Sequence, residues 1–171
     1  MTEKSRQIHN KYNMIIQSRN VKTLLDTLLK PVEIEPISFT TNPLQSSVLL
    51  ASTNGSVISF SNSSSVNGDS HSVNNLKMMS LLIRDKWSED QAQTDDRPAS
   101  NRYKYELDNT GLNTNIYTYE IEDLHACVAQ IPQSDLLLLF IAGASYPYGL
   151  LVLKMKKSLL AFQDMYGYKL D

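Results

Sequence analysis

His125 and Cys127 stand one residue apart in LHACVAQIP, and an H-x-C pair can supply two metal ligands or a thiol beside its base. On a strand, alternate residues share a face, so both side chains would point the same way. No second pair of ligands accompanies them, and the expectation is a satisfied pair in a core, where substitution changes stability alone. Glu120, Glu122 and Asp123 form a carboxylate cluster that could imitate a general acid/base pair, but at a strand end beside a turn they read as a solvated rim. His9 and His71 lie in polar segments without partners, and no glycine-rich phosphate loop occurs. The expected inventory is no catalytic residue, no metal and no cofactor.

The elements that would carry these residues are bounded by length and composition. The 171 residues amount to one domain's worth of chain and, at 42% apolar, can bury a sizeable core. A net charge of -2 gives no basic field, so nucleic acid is not an expected partner. Cys127 is the only cysteine and the opening residues lack the apolar core of a signal peptide, so the expected compartment is reducing, cytosolic or facing the cytosol. The apolar run Leu136 to Ala144 falls well short of the roughly 20 residues of a spanning helix, and the next run is soon broken by Lys154, Lys156 and Lys157. A membrane hairpin is rejected.

Leu136 to Ile141 instead suits a strand covered on both faces, placed centrally in a sheet. After Pro147, Leu151, Val152, Met155, Leu159, Phe162 and Tyr166 fall at helical spacing, with Gly167 as a stop. LHACVAQIP and NIYTYEIED read as two more strands, and SSVLLAST-NG-SVISFS as a hairpin with a two-residue turn at Asn54-Gly55. NVKTLLDTLLKP carries one apolar stripe, and SVNNLKMMSLLIRDKW is a helix capped by Ser72. The order is α-β-β-α-β-β-β-α. Residues 61–72 are Ser/Asn-rich and residues 88–113 are polar with mixed charge, so both are expected to be mobile loops within a single domain spanning 20–171.

The middle helix has more apolar surface than a sheet alone can use. At 100° per residue, Val73, Leu76, Met79, Ser80, Ile83 and Trp87 form one broad face, and Met78, Leu81 and Leu82 form a second. An exposed stripe of this kind marks an interaction surface unless a loop folds over it. Leu153 and Leu160 make a weaker version on the last helix.

SVNNLKMMSLLIRDKWSED, IYTYEIEDLHACVAQIPQSDLLLLFIA and YPYGLLVLKM resemble the third-subunit family of fungal EGO complexes, roadblock/dynein-light-chain-like counterparts of a Ragulator subunit, from about Asn20 to the C-terminus. The resemblance implies an α+β, roadblock/longin-like fold: a five-stranded, antiparallel-rich sheet with one helix on one face and two on the other. It also implies a non-enzymatic scaffold that pairs with another roadblock-like subunit or with itself. Such a scaffold binds a lipidated EGO subunit and a Rag-type GTPase heterodimer at the cytoplasmic face of the vacuolar membrane, with an endosomal pool as a further expectation. Its membrane contact is indirect. The signalling so implied runs from amino-acid sensing to the target-of-rapamycin kinase, with microautophagy as an associated process. Pairing in such folds uses the middle helix and an adjoining edge strand, which puts the partner-binding residues at Met78, Leu81, Leu82, Ile116, Tyr117, Tyr119 and Ile121.

The competing reading is a catalytic regulator of the same GTPases. It would need an arginine on an ordered, exposed element, whereas Arg97 and Arg102 fall in an expected loop and Arg84 within a helix. The arm 1–19 extends past the start expected for the family and carries Lys4, Arg6, Lys11 and Arg19. No function is carried onto it.

Overall fold

Seven of the eight residues of LLLLFIAG are buried, a pattern that only a strand covered on both faces can satisfy. The computed structural model, which describes residues 18–31, 33–34, 39–40, 42–63, 73–93 and 99–170, makes this segment β8 (Leu136–Gly143). The elements before it are α1 (Ser18–Leu28), a short ribbon of β1 (Glu33–Ile34) and β2 (Phe39–Thr40), β3 (Ser46–Ala51), β4 (Val57–Asn62), α2 (Val73–Ala92), β5 (Arg102–Leu107), β6 (Leu112–Ile121) and β7 (Leu124–Gln130). After it come α3 (Tyr148–Ala161) and a 3-10 turn, Gln163–Met165. The main sheet has six strands in the order β4-β3-β8-β7-β6-β5, with every neighbouring pair antiparallel.

Alternation along β8 divides the core in two. Leu136, Leu138, Phe140 and Ala142 join a cluster with Val21, Leu25 and Leu28 of α1 and Leu151, Val152, Met155 and Leu159 of α3. Leu137, Leu139 and Ile141 face the other way, onto Leu76, Ile83 and Trp87 of α2. Each such fully buried side chain contributes about 1.5–3 kcal/mol relative to exposure, so β8 anchors both layers. Two helices on one face and one on the other is the expected arrangement.

Polar contacts fix the helices in register. Ser47 Oγ donates to the Leu25 carbonyl at 2.7 Å, and Lys22 Nζ to the Phe60 carbonyl at 2.7 Å, which holds α1 across the β3–β4 hairpin. The Lys154 ammonium of α3 donates to the Lys30 carbonyl at 2.8 Å, just past the end of α1. On the other face, Arg84 Nε of α2 donates to the Ser52 carbonyl at 2.8 Å, and its Nη2 to that of Thr53.

The structure corrects four details of the sequence reading. The sheet has six strands rather than five, because RYKYEL, inside the stretch expected to be a loop (88–113), forms β5 and pairs with β6 from Arg102↔Tyr117 to Leu107↔Leu112. The turn DNTG makes this possible, with Asn109 at φ 62° and Gly111 at φ 69°. Consequently β6 is not an edge over residues 112–117. The β3–β4 turn is longer than two residues: the Gly55 N–H donates to the Ala51 carbonyl at 2.9 Å, and a register shift beside Leu49/Leu50 leaves Ile58 over as a bulge. Only Gly55 takes a positive φ there, while the Asn54 side chain accepts from the Ser56 N–H at 3.0 Å. Finally, α3 ends at Ala161, and Gly167 (φ 77°) follows the 3-10 turn instead. Ser72, most of the arm 1–19 and residues 64–72 of the expected loop 61–72 lie outside the described residues.

Candidate functional site

The chemistry-bearing residues fall into structural roles. His125 stacks on the Tyr148 ring, with centroids 3.9 Å apart, and its Nδ1 lies 2.7 Å from the Tyr146 carbonyl, which can only accept and so fixes the proton on Nδ1. Cys127 on the same face is fully buried between β-strands, and burial pushes its thiol far up, away from the thiolate a nucleophile or metal ligand needs. Glu120, Glu122 and Asp123 are exposed at the β6–β7 turn, where Glu122 adopts φ 53°. Among the described residues no three or more His, Cys, Asp or Glu side chains converge as a metal site.

The seven residues expected at a partner surface divide sharply. Met78, Leu81 and Leu82 are 65%, 45% and 59% exposed on the outer side of α2, whereas Ile116, Tyr117 and Tyr119 are buried and Ile121 is partly so. Ile116 belongs to the α1/α3 core, and the two tyrosines lie beneath α2. Tyr117 donates to Gln91 Oε1 at 3.0 Å and Tyr119 to Asp90 Oδ2 at 2.7 Å, which pins the C-terminal turns of α2 to β6. Burial first, and then the Asp90 carboxylate, push the Tyr119 hydroxyl well above its ordinary range.

Leu81 differs from its neighbours because it also closes on the hairpin turn: a Cβ placed on Gly55 would sit 3.0 Å from Leu81 Cδ1. Met78 and Leu82 instead open onto a groove of about 420 Å³ whose far wall is Glu122, Asp123 and Leu124. Beside it, β6 runs past the end of β5: the Thr118 N–H still donates to the Asn101 carbonyl, but residues 119–121 have no strand on that side among the described residues. An apolar floor, an acidic lip and a short stretch of open sheet edge make a surface suited to a protein segment. The sequence pattern marks these carboxylates as a solvated rim beside a turn, but nothing local places that turn opposite the first turns of α2.

The family described as Protein SLM4 matches residues 15–170. Protein SLM4 of Saccharomyces cerevisiae is 50% identical over 163 residues, covering 92% of this chain and 99% of the relative. The chain belongs to the SLM4 family. Solved structures similar to this SLM4-family chain give its fold: a roadblock/LC7 domain from Streptomyces avermitilis (TM-score 0.50, 15% identity, 83% of this chain and 93% of that one) and the gliding protein MglB from Thermus thermophilus (TM-score 0.55, 13% identity, 88% and 90%). A third, described as MglB with tetrameric arrangement, has a TM-score of 0.55 at 12% identity and covers 88% of this chain and 90% of its own. The fold is of roadblock type.

Proposed function

We propose that this chain is a non-enzymatic scaffold subunit of an EGO-type, Ragulator-like complex. In this role it pairs with a roadblock-like subunit or a second copy of itself, helps a lipidated subunit hold a Rag-type GTPase heterodimer, and so relays amino-acid signals to the target-of-rapamycin kinase complex. SLM4 family membership and the roadblock fold support a small scaffold-like subunit. The observation that carries the reading is the exposed apolar stripe of Met78 and Leu82 on a helix whose opposite stripe is already buried. A neighbour of the same fold described in a tetrameric arrangement supports self-association as a property of such domains. Attachment to the cytoplasmic face of the vacuolar membrane would come through the lipidated subunit, and among the described residues no helix is long and apolar enough to cross a membrane.

The test is reconstitution of the chain with the lipidated subunit and the GTPase pair, followed by nucleotide exchange and hydrolysis in its presence and absence. A scaffold changes assembly and leaves both rates per GTPase unchanged. A rate change that persists when assembly is held constant would favour the catalytic regulator.

A further inference from the structure

On the face of the sheet opposite α2, a groove of about 240 Å³ runs between α1 and α3. Its walls are apolar, from Leu24 and Leu28 of α1 and Leu153 and Ala161 of α3, and the cationic side chains along it are Lys154 and Lys157. Neither lysine has a carboxylate partner among the described residues. Lys154 spends one N–H on the Lys30 carbonyl, and Lys157 stands exposed at the rim. The hydroxyls nearby are already used, since Thr27 donates to Thr23 and Ser158 to Lys154 on their own helices. What the groove offers a visitor is therefore apolar surface and unneutralised positive charge.

We propose that this groove docks a short acidic amphipathic helix from a protein partner, with apolar side chains between α1 and α3 and a carboxylate on Lys157. The lining of α3 from Leu153 to Ala161 extends roughly 12 Å at 1.5 Å per residue, room for about two helical turns lying alongside. Charge complementarity selects an acidic segment, because a basic one would leave both ammonium groups facing like charge. A membrane surface is the poorer match: lipid recognition by charge uses clusters of about 4–8 basic residues, and here a single lysine is exposed beside one engaged with a carbonyl. The site shares no residue with the outer face of α2, so it can be tested independently of pairing through that helix.

The probe is a cross-linked two-turn helical peptide with leucines at i, i+4 and i+7 flanked by glutamates, titrated into the full chain and followed by amide chemical shifts. A control peptide carries lysines in place of the glutamates, and phosphatidylserine-rich vesicles form a third arm. Saturable shifts confined to residues 24–28 and 153–161 are expected with the acidic peptide only. Lys157→Glu, at an exposed position that leaves the core untouched, should weaken that binding about tenfold or more and reverse the preference between the peptides. Lack of saturation, shifts centred on α2, equal binding of both peptides, or vesicle binding without peptide binding would each overturn the proposal.

Discussion

On one face of the sheet α1 and α3 lie together and Lys154 ties the second to the end of the first; on the other, α2 is the one helix among the described residues. The paired helices share one buried cluster, which leaves Leu153 and Leu160 of α3 facing outward. The solitary helix buries Leu76, Ser80, Ile83 and Trp87 against the sheet, and among the described residues no further element covers Met78 and Leu82. Apolar content is thus no guide to role within α2. What separates fold from surface is which residues have a neighbour inside the chain.

The largest expected effect is that of breaking the inner stripe. Ile83→Asp puts a carboxylate into a site with 1% exposure and should cost about 3–5 kcal/mol or prevent folding, read from urea unfolding. Removing the hydroxyl that pins the far end of α2, Tyr119→Phe, leaves the ring in place but loses a bond to Asp90, and should cost about 1.5–3 kcal/mol in the same assay. Ser80 sharpens the comparison from the opposite direction, since its Oγ is buried without a partner among the described residues; Ser80→Ala should leave stability unchanged or raise it by about 1 kcal/mol.

The paired face has a pH signature of its own. Burial pulls the Lys154 ammonium down to about 8, against 10.5 for an ordinary lysine. Between these values the unfolded chain holds a proton that the folded chain has released, so this group makes stability rise with pH from about 8 to 10.5, and below 8 the full cost of its buried charge is carried. Comparing wild type with Lys154→Met cancels the tyrosines that titrate higher. The difference in unfolding free energy between the two should shift by about 2 kcal/mol between pH 7.5 and 10, in the direction that favours wild type as pH rises.

These two faces were unequally legible in the sequence. The central placement of β8 followed from an uninterrupted apolar run, and the two stripes of α2 from helical spacing, because both signals are local and periodic. The sixth strand did not, since Tyr103 and Tyr105 alternate with charged residues and only Leu107 is fully buried, so β5 has the composition of a loop. The DNTG turn ahead of Leu112 was its best available signal. The burial of Ile116, Tyr117 and Tyr119 is hidden for the same reason. β5 covers β6 as far as Tyr117, and the side chains of Tyr117 and Tyr119 reach under α2 to Gln91 and Asp90, while the backbone edge of β6 stays open at residues 119–121 among the described residues. The groove between α1 and α3 depends on residues more than 100 positions apart in the chain, which no local pattern records.

The division of α2 into a face that folds and a face that binds is tested most directly by sedimentation velocity of wild type and Leu82→Asp, each alone and mixed with a roadblock-like partner subunit. Leu82 is 59% exposed, so the substitution should leave stability within about 0.5–1 kcal/mol of wild type while desolvating a carboxylate in any dry interface formed there. The expected result is an associated wild type, in one or both mixtures, and a folded Leu82→Asp monomer in both. A Leu82→Asp chain that associates as wild type does, or one that unfolds, would contradict the assignment of this face to a partner.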